Sequence, residues 1–129
     1  MTNQASIVNV CPKFHHAVEV IGRRWTGAIL SAMLNGATRF TDIVHSVPGL
    51  SDRLLSERLK ELECEGIVER RVHPETPVRI EYMMTEKGRA LSSVTNAIAD
   101  WAEAWVDVEP VTEDTRSVSQ AETPVSVFA

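Results

Sequence analysis

Cys11 stands directly before Pro12, with Lys13, His15 and His16 following, and this grouping is where nucleophilic chemistry is most strongly suggested. Proline suits the first position of a helix, which makes Cys11 the N-cap, facing unpaired backbone amides and the positive end of the helix dipole. Those features favour thiolate, and the neighbouring cations add positive potential, so oxidants and electrophiles are the expected reactants. A cap cysteine buried without a signalling role is the alternative. A second grouping is Arg53, Ser56 and Lys60, whose spacing puts them on one side of a helix as donors to a guanine edge or to phosphate. Arg39, Ser51, Arg71, His73 and Arg79 are taken with them as candidate DNA contacts. Arg58 is set apart, since it falls beside the apolar spine of that helix and is expected to lay its stem on the core or pair with an acid.

Catalysis finds little support. Cys11 and His15 lie one turn apart and could share a metal, but no third ligand has suitable spacing. There is no glycine-rich phosphate loop, no Gly-x-Ser-x-Gly elbow and no zinc-binding helix motif. The expectation is a protein that is not an enzyme and uses no cofactor or metal.

The elements that must position these groups follow from periodicity. Phe14, Ala17, Val18 and Ile21 mark a first helix from Pro12, stopped at Gly22. Trp25, Ala28, Ile29, Ala32 and Met33 mark a second, closed by Asn35-Gly36. Phe40, Ile43, Val44 and Val47 mark a third, with Thr38 as its expected cap and Pro48-Gly49 after it. Ser51 caps a fourth, with Leu55, Leu59 and Leu62 as its buried spine; at about 100° per residue, Arg53, Ser56, Glu57, Lys60 and Cys64 project the other way. After Gly66 the period becomes two, and Val68, Arg70, Val72 and Ile80, Tyr82, Met84 define two paired strands joined by the loop His73 to Pro77. A last helix is expected from the cap Thr85 through Leu91, Val94, Ile98, Trp101 and Trp105, an apolar seam wide enough to need a second copy. The fold class is therefore mainly α with a small antiparallel β-wing, a winged helix-turn-helix.

At 129 residues with 43% hydrophobic and 24% charged content, the size suits one domain, divided as a flexible arm 1–10, a folded unit 11–106 and an acidic tail 107–129 expected to be disordered past about Pro110. The net charge of −5 argues weakly against a polyanionic partner, because Asp107, Glu109, Glu113, Asp114 and Glu122 against Arg116 put −4 of it in the tail. The uncharged stretch Trp25 to Thr38 falls short of the roughly 20 apolar residues a bilayer span requires, and the first residues do not read as a secretory signal, so the expected location is the cytoplasm. Two cysteines, Cys11 and Cys64, are too few for a disulfide scaffold; a bridge between them, within or between subunits, is left open.

Several separated motifs agree with one family. Cys11-Pro12, Ile21-Gly22 with Arg24-Trp25, Arg39-Phe40, Leu54-Leu55-Ser56 with Arg58-Leu59, Gly66-Ile67-Val68, the Pro74 and Pro77 loop, and Tyr82 with Thr85-Glu86-Lys87-Gly88 strongly resemble the HxlR family of bacterial winged-helix, MarR-like transcription regulators. The likeness runs from about Cys11 to Trp105. It implies a homodimer held by the first and last helices, here Phe14, Val18, Leu91, Val94, Ile98, Trp101 and Trp105, with two recognition helices and two wings on a palindromic site in double-stranded DNA. Some members of the family sense quinones, aldehydes or hypochlorite through the cysteine at the place of Cys11. The signal expected here is modification of Cys11, or a small-molecule effector in a groove near Trp25 and Trp101, although Trp25 by itself reads as core. The competing reading is a winged helix used only for protein contacts, which should present apolar residues where Arg53, Ser56 and Lys60 stand.

Overall fold

A computed structural model describes residues 9–108. Residues 1–8 of the proposed arm and 109–129 of the acidic tail lie outside the described residues. The elements run α1 (Pro12–Ile21), α2 (Thr26–Leu34), α3 (Phe40–Ser46), α4 (Asp52–Cys64), β1 (Val68–His73), β2 (Arg79–Met84), α5 (Glu86–Arg89) and α6 (Ser92–Trp105). This is the winged helix-turn-helix expected from the periodicities, with β1 and β2 antiparallel and paired Val68 with Met84 through to His73 with Arg79.

The core lies between α2, α3, α4 and the base of the ribbon. Ile29 and Leu30 from α2, Ile43 from α3, Leu55, Leu59 and Leu62 from α4, and Ile67 with Val68 entering β1 are all buried. Each such side chain contributes roughly 1.5–3 kcal/mol over leaving it in water. The leucine spine dictates which side of α4 faces out. Ser51 caps that helix, its hydroxyl oxygen accepting from the Leu54 amide at 3.1 Å. At the other end Gly66, with φ of 77°, lets its own amide reach the Glu63 carbonyl and that of Ile67 reach Leu62, a closure that an L side chain would strain. Asn35-Gly36 closes α2 the same way.

Three local expectations need correction. Thr38 does not cap α3: Arg39 occupies that position, and the Thr38 hydroxyl donates instead to Glu81 on the wing. Trp25 is not the first residue of α2 but precedes it in the left-handed region, φ 78°, its ring beside Gly49 and beneath the Arg24 guanidinium at 5.1 Å. The last helix is two. Thr85 caps only α5, accepting from the Gly88 amide, while its hydroxyl and amide bond the carbonyls of Gly66 and Ile67. Gly88 is so close to the Ile67 carbonyl that a side chain there would collide with it, and the Leu91 amide bonds the Gly88 carbonyl where the regular helical ladder lapses before α6.

Among the described residues no helix is long and apolar enough to cross a membrane.

Candidate nucleic-acid interface

The outer side of α4 is built by subtraction: once Leu55, Leu59 and Leu62 are buried, Arg53, Ser56 and Lys60 must be exposed, and they are. Arg53 Nε lies 3.3 Å from Glu57 Oε2, but its side chain is 86% exposed, so water screens the pair and the guanidinium can exchange it for a stronger partner. Ser51, committed as a cap acceptor, retains its O–H as a donor. Arg39 is exposed at the start of α3. Arg58 behaves as its place beside the spine suggests. Its side chain is 11% exposed, its Nε donates to the Arg24 carbonyl at 3.0 Å, and its Nη1 donates to Glu61 at 3.2 Å. It ties α4 to the connection before α2 and is not free to read a base.

The wing is organised differently. Its outward face carries Glu69, Arg71 and His73 from β1 and Arg79, Glu81 and Met83 from β2, while Val68, Tyr82 and Met84 turn to the core. Each candidate contact already has an acidic partner: Arg71 with Glu69 at 3.1 Å, His73 with Glu81 at 2.8 Å, and Arg79 with both Glu75 and Glu81 at 3.1 Å. The Arg79 hydrogen bond and charge hold the Glu75 carboxyl below its ordinary pKa, and the same bond raises that of Arg79. Burial pushes the Glu81 carboxyl up, but the His73 hydrogen bond, the Arg79 charge and the Thr38 hydroxyl together outweigh it, leaving it lowered. Glu75 and Glu81 are the residues that the sequence reading missed; strand alternation shows which face a residue is on, not which partner it reaches.

Cys11 is the N-cap of α1, exposed and unbridged. No hydrogen bond to its sulfur is closed, yet the Phe14 amide and, less strongly, that of Lys13 hold the thiol below its ordinary pKa. Cys64 is also free and exposed, near the C-terminus of α4. His16 on α1 bonds Glu65 at 3.0 Å and Arg23 bonds Glu61 at 3.1 Å, so α1 and its following turn are tied to the end of α4. Among the described residues no group of three or more His, Cys, Asp or Glu is placed to hold a metal ion.

The seam residues separate into two sets. Phe14, Val18, Val94, Ile98, Trp101 and Trp105 are exposed, whereas Leu91 packs partly against the core. Trp101 lines an open apolar groove with Ser93, Val94, Ala97 and Ile98; Trp25 is not among its walls, so the two tryptophans do not share that groove.

Residues 20–110 match the family described as HxlR-like helix-turn-helix. The chain is 52% identical over 98 residues to the HTH-type transcriptional regulator YvaP of Bacillus subtilis (strain 168), covering 76% of this chain and 91% of YvaP. It is 44% identical to YodB of the same organism, and the reduced form of YodB superposes with a TM-score of 0.68 over 75% of this chain and 95% of that structure. YodB is also known diamide-treated and quinone-bound. The redox regulator HypR in its oxidised form gives a TM-score of 0.70 at 36% identity, over 76% of this chain and all of HypR, 100%. With α4 and the wing in place and a family match spanning most of the folded unit, the chain belongs to the HxlR-like helix-turn-helix family of transcriptional regulators.

Proposed function

We propose that two copies of this chain join through α1 and α6 and carry paired α4 helices and wings to a palindromic DNA site, as a cytoplasmic, sequence-specific transcription regulator. The observation that carries this reading is the exposed row Arg53, Ser56 and Lys60 on a helix whose other side is fixed by buried leucines. Polar donors on a rigid helix suit groove edges and phosphates, and a protein-docking surface would offer apolar residues there. The uncovered stripe of Val94, Ile98, Trp101 and Trp105, with Phe14 and Val18, supplies the surface for the second copy.

The signal enters through Cys11. Its exposure and lowered thiol pKa favour attack on an oxidant or electrophile, and α1 is tied to α4 through His16 and Glu65, which gives a modification there a route to the recognition helix. The reduced, diamide-treated and quinone-bound states of YodB support thiol chemistry of this kind.

The test uses duplexes selected from a random pool by the reduced full-length protein, with scrambled versions as controls, followed by fluorescence anisotropy at several salt concentrations. The selected duplex should bind at least about a thousandfold tighter than its scrambled version, with a steep salt dependence. Added diamide should release the wild-type protein but not Cys11→Ser. Equal, weak binding to both duplexes would mean that the α4 surface docks on protein, and release of Cys11→Ser by diamide would remove Cys11 from the sensing role.

A further inference from the structure

An acid lies at the centre of the donor cluster on the wing, on a surface that the DNA-binding reading turns toward a polyanion. Glu81 Oε1 takes both His73 Nε2, at 2.8 Å, and Arg79 Nη1, at 3.1 Å, while its Oε2 accepts the Thr38 hydroxyl at 3.3 Å. These partners come from three segments: the end of β1, the start of β2 and the turn leading into α3. The junction is doubled by a backbone bond from the Tyr82 amide to the Thr38 carbonyl at 2.8 Å. Glu81 is 22% exposed, so its ion pair with Arg79 is more protected from water than the open Arg53–Glu57 pair on α4. With Glu75 taking the other side of Arg79, the wing tip holds two carboxylates against one guanidinium and one imidazole.

Such a cluster attracts phosphate poorly at long range, because its two carboxylates at least balance its positive charge. It also gives two long or rotatable donors a fixed origin relative to the helix-turn-helix, so they reach phosphate only where the duplex presents it at the right place. We propose that Glu81 is a positioning residue for DNA recognition: by holding His73 and Arg79 against the turn that carries Thr38, it raises discrimination between cognate and random duplexes while lowering affinity for DNA in general. This rests on the DNA-binding reading above.

The experiment compares the full-length wild type with Glu81→Gln, Glu75→Gln and Thr38→Val by anisotropy on the selected and scrambled duplexes, with thermal midpoints recorded alongside. Glu75→Gln removes the same charge from Arg79 without touching His73 or Thr38, and Thr38→Val removes only the hydroxyl that orients the Glu81 carboxylate. Glu81→Gln should bind the scrambled duplex several-fold more tightly and the selected one no better, so that their affinity ratio falls about tenfold. Thr38→Val should lower the ratio about threefold, and Glu75→Gln should strengthen both duplexes alike with the ratio kept within about twofold. An unchanged ratio in Glu81→Gln, or an equal fall in Glu75→Gln, overturns the proposal by reducing Glu81 to one more charge. Equal weakening on both duplexes with a lowered midpoint overturns it too, unless Thr38→Val, at a wild-type midpoint, shows the expected fall. A wild-type protein that selects no duplex at all overturns the DNA-binding reading and this proposal together, whereas selective wild-type binding with an unchanged Glu81→Gln ratio overturns this proposal alone.

Discussion

Helices α4 and α6 carry apolar residues at the same three-and-four spacing and meet opposite fates. On α4, Leu55, Leu59 and Leu62 are buried by α2, α3 and the base of the wing. On α6, Ile98, Trp101 and Trp105 remain 54%, 62% and 76% exposed, and neither α6 nor α1 holds a buried residue. One end of the protomer is completed by its own chain; the other presents a finished helix with an uncovered apolar side. Periodicity therefore identifies a face that needs covering, and only the tertiary arrangement tells whether the cover is intramolecular.

The sharpest way to break this comparison is to place a charge in the α6 stripe. Ile98→Asp should weaken self-association by about 4 kcal/mol, roughly a thousandfold, because the carboxylate would be buried unpaired at the centre of the seam. Sedimentation equilibrium would report a monomer; a dimer of wild-type affinity would remove α6 from the interface. At the completed end, Leu59→Ala should cost about 3 kcal/mol of unfolding free energy from the cavity it leaves in the core. That loss, followed by urea denaturation, should hold at any protein concentration, whereas a loss that vanishes on concentrating the protein would place Leu59 in the subunit contact.

A smaller effect is expected on the exposed side of α4. Arg53→Ala should weaken binding to the selected duplex by about 2 kcal/mol with the fold untouched, and anisotropy showing wild-type affinity would remove it from recognition. The smallest concerns Cys11, at the uncovered end. Since the Phe14 and Lys13 amides lower its pKa, more thiolate exists near neutral pH than in free cysteine, and alkylation of a Cys64→Ser variant followed across pH should show a midpoint below that of free cysteine. A midpoint at or above it would contradict the cap geometry.

Much of the fold was legible from residue spacing. The leucine spine of α4, the caps at Ser51 and Gly66, and the two-residue period of the wing each express a local rule, and local rules hold where neighbours along the chain satisfy the backbone. Thr38 shows where they fail. Threonine is a good cap residue by type, but a carboxylate 43 residues later, Glu81, takes its hydroxyl. The break between α5 and α6 was hidden because the apolar period continues through Leu91, while the Leu91 amide bonds Gly88 three residues back and interrupts the helical ladder. The candidate site divides the same way. The outward position of Arg53, Ser56 and Lys60 follows from helix geometry, while the pairing of Arg71, His73 and Arg79 with acids depends on rotamers and, for His73, on a contact across strands.

If the two ends work together as a dimer on DNA, the mass of the complex formed on the selected duplex must report it. Sedimentation equilibrium of the reduced full-length protein with that duplex should give two chains per duplex, with no stable species holding one. A single chain bound at the same affinity would contradict the account, because the exposed α1 and α6 surfaces would then have no part in recognition.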